Sequence, residues 1–195
     1  MRTDPISSAF GTSEAIDRPT FYALLAGAIK VAKVNSAPVL IMIDIEDLRK
    51  TGAVQGIQKQ RVIAQNVAAR FAASVGTEGF VCALGGSRLA VLTASDGLQS
   101  VEVLEKALLC TLLRLANDDG LALRGAATLS TAQWPTDGET ADALFVLADH
   151  GIFAARAQCE QEQHRPPRQD TNVLVTEQHS GNLARFPASP LRATG

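Results

Sequence analysis

Two glycines, a serine and an arginine mark the place where this sequence comes nearest to a site of chemistry. Gly85 and Gly86 separate two short apolar segments, and a Gly-Gly pair supplies the positive φ angles of a tight hairpin turn. A hairpin tip that continued with two acidic residues would offer oxygen ligands for a metal ion and its bound phosphate. This tip continues with Ser87 and Arg88. The pattern indicates the shape of a nucleotide-processing site without its acidic ligands. The simpler alternative for the glycines is a plain hairpin turn.

A further acidic residue follows the most apolar segment of the chain. Residues 39–43 are continuously apolar and rich in β-branched side chains, which is typical of a strand buried on both faces. Asp44 closes this strand, either as a metal ligand or as an ordinary cap or loop residue. Glu46 and Asp47 come next and predict a solvated acidic turn.

The elements around these residues follow from apolar spacing. Apolar side chains three to four positions apart predict four helices, over residues 20–34, 57–74, 100–117 and 140–158. Alternating or continuous apolar runs predict strands and a hairpin, at residues 39–43, 80–94, 121–129 and, at a sheet edge, 172–176. This order of elements predicts a sheet covered by helices.

Length and composition predict one main domain. Of the 195 residues, 46% are hydrophobic and 19% charged, as in ordinary globular proteins. We expect a flexible arm over residues 1–14, a folded domain over 15–176 and a flexible tail over 177–195. The net charge of −2 shows no bias toward polyanions, so a nucleic-acid partner is not expected.

The cysteines and the apolar runs predict a cytoplasmic location. Cys82, Cys110 and Cys159 are few, odd in number and widely spaced, which favours a reduced chain without a disulfide framework. Cys82 and Cys110 fall on apolar stripes and are predicted to be core residues. The longest apolar run covers residues 37–43 and is too short to insert across a membrane.

Five segments together resemble the GGDEF family of diguanylate cyclases, over about residues 15–176. Residues 17–21 read Asp-Arg-Pro-Thr-Phe, like the family's Asn-Arg-x-x-Phe, and residues 43–49 resemble its Asp-x-Asp-x-Phe-Lys segment. Residues 84–89 lie where the family carries Gly-Gly-Asp-Glu-Phe. Residues 134–138 and 148–156 resemble its late turn and its Ala-Asp-x-Ala-Leu-Tyr-x-Ala-Lys helix. The resemblance implies an α/β (α+β) fold, with a mostly antiparallel central sheet flanked by helices.

The family joins two GTP molecules into cyclic di-GMP with the help of metal ions, and the resemblance assigns the metal-binding carboxylates to two positions. One is Asp44, which is present, and the other is position 88. Arg88 cannot ligate a cation, and its charge would repel one by about 4 kcal/mol at 4 Å in a surface-like dielectric. Ser87 also replaces an acid. The substitutions predict that two-metal catalysis is lost, with no bound metal or cofactor.

The resemblance also identifies positions that would read guanine and bind phosphate. Gly52, Ala53 and Arg61 stand at the guanine-reading positions, and the first two offer no side-chain donor or acceptor. Arg156 stands in place of a phosphate-binding lysine. The family's inhibitory product motif, Arg-x-x-Asp, is absent from residues 76–79.

These losses predict an inactive GGDEF-like domain that regulates by protein–protein interaction in bacterial cyclic di-GMP signalling. The expected partner is a cyclase, a phosphodiesterase or an effector of that network, and pairing as a homodimer is a further option. The alternative is a non-catalytic sensor of GTP, cyclic di-GMP or another anion, with Arg61, Arg88 and Arg156 as its contacts. A third option is a structural or secretion-associated subunit. Arg88 is expected to be solvated at the tip or paired with a partner's acid.

Overall fold

The computed structural model describes residues 15–32, 36–76, 79–95, 98–118 and 127–163. Five helices and four strands occupy these ranges, in the order α1 (Arg18–Val31), β1 (Ala37–Ile45), α2 (Glu46–Gln55), α3 (Ile57–Val75), β2 (Gly79–Gly85), β3 (Arg88–Ser95), α4 (Leu98–Asp118), β4 (Ala127–Gln133) and α5 (Ala141–Gln163).

The four strands form one antiparallel sheet in the order β2-β3-β1-β4. β1 is a central strand, and all nine of its residues are buried. Its register places Asp44 opposite Arg88 of β3 on one side and Thr128 of β4 on the other. The continuous apolar run is therefore explained by helices covering both faces of the strand.

Alternate residues of β1 enter two separate cores, since successive side chains point to opposite faces of a strand. Val39, Ile41 and Ile43 pack with residues of α3 and α4. Leu40 and Met42 pack with residues of α1 and α5. The predicted fold class, an antiparallel α+β sheet flanked by helices, is confirmed.

The helix α1 begins at a side-chain cap. Asp17 accepts a hydrogen bond from the backbone N–H of Thr20 at 2.8 Å, and hydrogen bonding with Thr20 lowers the pKa of the Asp17 carboxyl. Ile16 just before it pairs in parallel with Cys82 of β2. The helix begins two residues earlier than predicted and ends at Val31, and residues 33–35 lie outside the described part.

The helix α2 is absent from the sequence prediction. Glu46 and Asp47 begin this helix instead of forming a solvated turn, and Asp47 is buried. Only Asp47 and Leu48 of its ten residues are buried, so the segment carries too little apolar periodicity to predict a helix. Gly56, with φ of +90°, separates α2 from α3.

The hairpin and the later helices follow the prediction closely. Gly85 and Gly86 both have positive φ, at 110° and 62°, as the turn requires. The strand β4 continues to Gln133, four residues past the predicted end, and α5 continues to Gln163. The predicted strand at 172–176 and the segments 1–14 and 177–195 lie outside the described residues, so the domain limits stay predictions.

The cysteines divide between core and surface. Cys82 is fully buried, and burial raises the pKa of its thiol to about 11. Cys110 is exposed on α4, so its assignment to the core was wrong. Its neighbours Leu108, Leu109 and Leu112 lie on the buried side of that helix.

None of the described helices has the length and apolar character needed to cross a membrane.

A substitution at Gly79 tests the close approach of β2 to β3. A Cβ atom there would lie 2.4 Å from the backbone oxygen of Leu92 and 2.9 Å from Cγ1 of Val75. Because a backbone oxygen cannot rotate away, Gly79→Ala is expected to lower the free energy of unfolding by about 2 kcal/mol. Gly27→Ala is the matched control, since a Cβ atom there meets nothing within 4 Å, and it should stabilise α1 by about 0.5–1 kcal/mol. Urea unfolding of both variants measures the difference, and equal stabilities would contradict the described packing.

Candidate functional site

The candidate site lies where the end of β1, the tip of the β2–β3 hairpin and the helix α5 meet. Asp44 is the penultimate residue of β1 and only 3% exposed. The backbone N–H of Ile45 donates to the carbonyl oxygen of Ser87 at 3.0 Å, which holds the hairpin tip beside the strand end. The alternation along β1 and β3 places Asp44 and Arg88 on the face that α5 covers.

Both carboxylate oxygens of Asp44 have partners within the chain. The Ser87 hydroxyl donates a hydrogen bond to Oδ1, and Nη1 of Arg156 lies 3.1 Å from Oδ2. A buried carboxylate needs a counter-charge and hydrogen bonds to offset its lost hydration. The guanidinium and the hydroxyl supply both, so Asp44 is satisfied without any further group.

Arg88 makes a separate ion pair with α5. Its Nη1 contacts Oδ1 of Asp149, and both side chains are partly exposed. Asp149 and Arg156 are seven residues apart, or two helical turns, so one side of α5 holds both the strand end and the hairpin tip. Arg88 thus pairs with an acid of the same chain, and the expectation that it is solvated or contacts a partner's acid stays a prediction.

A smaller charge cluster lies at the start of α2. Glu46 is 2.8 Å from Nζ of Lys50 and 3.8 Å from Nη2 of Arg49. The hydrogen bond from Lys50 lowers the pKa of the Glu46 carboxyl, with smaller contributions from the charges of Lys50, Arg49 and Arg156. Glu46 is therefore engaged by its own helix.

The structure is similar to solved structures of one kind of domain. The GGDEF domain of YfiN (TpbB) from Pseudomonas aeruginosa matches with a TM-score of 0.64 at 20% identity, over 75% of this chain and 93% of that one. A sensory box/GGDEF family protein from Caulobacter crescentus CB15 matches with a TM-score of 0.60 at 24% identity, over 74% of this chain and 94% of the other. The chain has the GGDEF fold. The coiled coil and GGDEF domain of DgcB from Caulobacter crescentus, in complex with c-di-GMP, matches with a TM-score of 0.56 at 17% identity, over 80% of this chain and 81% of that one.

Comparison of the sequence of this GGDEF-like domain with known proteins gives weaker matches than comparison of its structure. No protein-family model matches it. An uncharacterized signaling protein of Caulobacter vibrioides is 26% identical over 149 residues, or 75% of this chain. The chain spans only 18% of the length of that protein. The low identities accord with a GGDEF fold whose sequence has diverged widely.

The residues of this GGDEF-like domain do not fit the divalent cations that the family resemblance implies. A hard cation needs several free oxygen ligands, and both oxygens of Asp44 already have partners. Arg88, opposite Asp44 in the register, brings a positive charge to the position that the resemblance assigns to a second metal ligand. Within the described ranges, no three acidic, histidine or cysteine residues cluster in a way that could hold a metal ion.

The positions that the family resemblance assigns to guanine reading lie on α2 and α3. Gly52 faces Gln60 of α3, and a Cβ atom at Gly52 would lie 2.7 Å from the Gln60 side chain. The Gln60 amide donates to the backbone oxygen of Leu48 at 2.9 Å, which fixes that side chain between the two helices. Ala53 and Arg61 are exposed. The packing of α2 on α3 thus uses the small size of Gly52.

Sequence reasoning missed two residues of this region. Asp149 lies in the motif of α5 but was given no role, although its spacing of seven from Arg156 is a signal that both lie on one side of a helix. Gln60 carries no such signal, because the helix α2 that it binds was not predicted.

Proposed function

We propose that this chain is a non-catalytic GGDEF-like domain that acts as a regulatory protein–protein interaction module in bacterial cyclic di-GMP signalling. The observation that carries the proposal is the state of Asp44. Its two carboxylate oxygens are taken by Ser87 and Arg156, where phosphoryl transfer would need a carboxylate free to hold a metal ion.

The second ligand position supports the same proposal. Restoring a metal there would require a cation to sit beside Arg88, whose guanidinium is tied to Asp149. Replacing a ligating carboxylate by a permanent cation is more damaging than deleting it, because it adds repulsion to the lost ligand. Gly52 and Ala53 also have no side-chain donor or acceptor that could contact a base. The side chains needed for metal binding and those needed for nucleotide selection are therefore both replaced.

A protein partner is supported by related structures. The diguanylate cyclase SiaD from Pseudomonas aeruginosa, solved in complex with its activator SiaC, matches with a TM-score of 0.58 at 17% identity, over 80% of this chain and 58% of that one. A GGDEF fold therefore occurs in a protein that binds a regulatory protein. For this chain we infer a partner of the same network: a cyclase, a phosphodiesterase or an effector.

The sensor alternative draws less support from the charges. Arg88 and Arg156 are each paired with a carboxylate of the same chain. An anion would have to break one of these pairs before it gained a guanidinium contact. Arg61, exposed on α3, would have to act without them.

The decisive experiment is an assay of cyclic di-GMP formation. The purified chain is incubated with GTP and millimolar Mg²⁺ or Mn²⁺, and the product is measured by mass spectrometry beside an active cyclase and a reaction without protein. We expect the amount found without protein. Formation of more cyclic di-GMP than in the reaction without protein would refute the proposal that the domain is non-catalytic.

Calorimetry and co-purification separate a scaffold from a sensor. Titration with GTP and with cyclic di-GMP should give no binding heat up to millimolar ligand. Tagged chain recovered from its native cell should bring a protein of the cyclic di-GMP network with it. Saturable nucleotide binding, or recovery of the chain with no such protein, would count against the interaction module.

A further inference from the structure

The turn between α2 and α3 forms an exposed tip of the domain. Gly56 separates the two helices, and the seven residues from 53 to 59 are all exposed. Behind the turn the two helices are held together, because the Gln60 amide donates a hydrogen bond to the backbone oxygen of Leu48 at 2.9 Å. We name residues 53–59 together with Arg61 the α2–α3 tip.

Two aliphatic side chains at the α2–α3 tip are left uncovered by the described part of the domain. Val54 is 82% exposed and Ile57 is 73% exposed. Val54 is the next-to-last residue of α2 and Ile57 is the first residue of α3, so only Gln55 and Gly56 separate them along the chain. Exposed apolar side chains that lie close together, unlike scattered ones, indicate a surface that another molecule or phase covers.

The charges of this region differ from those of the whole chain. The chain has a net charge of −2, but the 30 residues from 48 to 77 contain five basic residues and no acid. Two of the five, on α2, contact Glu46. Lys59 and Arg61 contact no acidic side chain among the residues that the structure describes. The α2–α3 tip therefore carries two uncompensated positive charges beside its apolar residues.

The spacing along α3 places a cation behind the apolar end of the tip. Arg61 follows Ile57 by four residues, so both lie on one side of the helix, and Arg61 is about 6 Å further along the helix axis. Lys59 is exposed on the first turn of the same helix. Long basic side chains keep their charges at the level of lipid phosphates while an apolar end enters the headgroup layer.

An anionic bilayer fits this surface better than a protein or a nucleic acid does. A protein partner would need a concave apolar pocket with an acidic rim to receive an exposed tip, whereas the headgroup layer deforms around it. The phosphates of a nucleic acid would attract Lys59 and Arg61 but would gain nothing from Val54 and Ile57. Exposed aliphatic side chains beside basic residues are the features with which proteins bind anionic lipid surfaces.

We propose that the α2–α3 tip binds the surface of an anionic lipid bilayer, with its two aliphatic side chains in the headgroup layer and its two cations at the lipid phosphates. The contact is peripheral and small, so binding is reversible and strongest at low ionic strength. This inference goes beyond the proposed function, because a bilayer is neither a nucleotide nor a protein partner.

Vesicle sedimentation tests the proposal on the full chain. Vesicles of phosphatidylcholine with about one-third phosphatidylglycerol should bind the chain at low salt. Sodium chloride at about 0.5 M should release it, because salt screens the attraction. Vesicles of phosphatidylcholine alone should bind the chain at least about tenfold more weakly.

Two double variants separate the contribution of the charges from that of the apolar side chains. Lys59→Gln with Arg61→Gln should lower the partition coefficient about 25-fold, or about fivefold for each charge. Val54→Ser with Ile57→Ser should lower it about tenfold and leave its salt dependence unchanged. All four side chains are exposed, and circular dichroism checks that each variant is folded.

The matched control lies on α4. Val103 is 66% exposed and Lys106 is also exposed, but Glu102 and Glu105 lie next to them in the sequence. Val103→Ser with Lys106→Gln therefore removes the same kinds of group from a surface without a positive excess. This variant should bind anionic vesicles within about twofold of the wild type.

A fluorescent label tests which part of the chain meets the bilayer. In a background with Cys110 and Cys159 replaced by serine, Val54→Cys is labelled with a polarity-sensitive dye. Its emission should shift to shorter wavelength on anionic vesicles, since the tip enters a less polar layer. The same dye on Val103→Cys should not respond. Cys82 is fully buried and does not compete for the label.

Two results would overturn the proposal. One is a chain that does not bind anionic vesicles at low salt, which would leave the α2–α3 tip to an acidic protein. The other is binding that both tip variants leave as strong as the control does, which would place lipid binding elsewhere on the chain. Vesicle binding requires neither GTP nor a protein partner. Its failure therefore leaves the assay of cyclic di-GMP formation and the co-purification unaffected, and the two proposals fail separately.

Discussion

Arg156→Met is expected to lower the free energy of unfolding by about 2–3 kcal/mol. The substitution keeps most of the side-chain length but removes the charge 3.1 Å from Oδ2 of Asp44. Asp44 is 3% exposed, so water cannot replace the guanidinium without opening the junction of β1, the hairpin and α5. Removing one partner of a buried ion pair costs about 3–5 kcal/mol. The expected loss is smaller because Arg156 itself is 30% exposed.

A double-mutant cycle separates this charge effect from lost packing. Asp44→Asn removes the charge that Arg156 balances, so Arg156→Met should cost much less when combined with Asp44→Asn than it does alone. Arg49→Met is the matched control, because Arg49 pairs with Glu46 at 3.8 Å on the surface, and it should change stability by no more than about 0.5 kcal/mol. Urea unfolding of the four proteins of the cycle gives the coupling energy. A coupling near zero would show that Arg156 does not offset the charge of Asp44.

The sheet and its long helices could be predicted because their patterns are strong. The apolar run of β1 and the Gly-Gly turn are strong local signals, and both elements formed at the expected places. The helix α2 escaped prediction because its stability comes from packing on α3, through contacts such as Gln60 with Leu48. Cys110 was wrongly assigned to the core because its neighbours Leu109 and Leu112 belong to the buried side of α4. Its own side chain lies on the exposed side of that helix.

The site illustrates a different limit. Comparison with the family that the sequence resembles shows that Ser87 and Arg88 stand where acidic residues are expected at the hairpin tip. The sequence does not show where the replacing charges go, because the partners are 61 residues apart for Arg88 and Asp149. The ion pairs with α5 depend on how that helix crosses the sheet, which no local pattern encodes. The substitutions therefore look like simple losses in the sequence, whereas in the fold Ser87 donates to Asp44 and Arg88 pairs with Asp149.

The ion pair between Arg88 and Asp149 makes Arg88→Glu the sharpest test of whether Arg88 excludes a metal ion from the hairpin tip. The variant replaces the Arg88–Asp149 ion pair by two facing carboxylates and sets a third, Asp44, opposite in the register. Like charges directly opposite on adjacent strands are destabilising. We expect a loss in Tm of about 3–6 °C without divalent cations.

Millimolar Mn²⁺ or Mg²⁺ should recover much of this loss, because clustered carboxylates supply the hard oxygen ligands that these cations prefer. A cation at ten times its Kd would add about 1.4 kcal/mol to the free energy of unfolding. Thermal unfolding with and without cation measures the gain. Arg88→Gln is the matched control, since it breaks the ion pair without adding a ligand, and neither it nor the wild type should respond.

The outcome separates two causes of the proposed inactivity. A wild-type chain that is stabilised as much as Arg88→Glu would show that Arg88 does not exclude the cation. If only Arg88→Glu responds, Arg88 is the residue that keeps metal out. The variant should still form no cyclic di-GMP, because Gly52 and Ala53 offer no side chain to read guanine. Metal binding without turnover would then mean that catalysis is blocked at two independent places, the hairpin tip and the packing of α2 on α3.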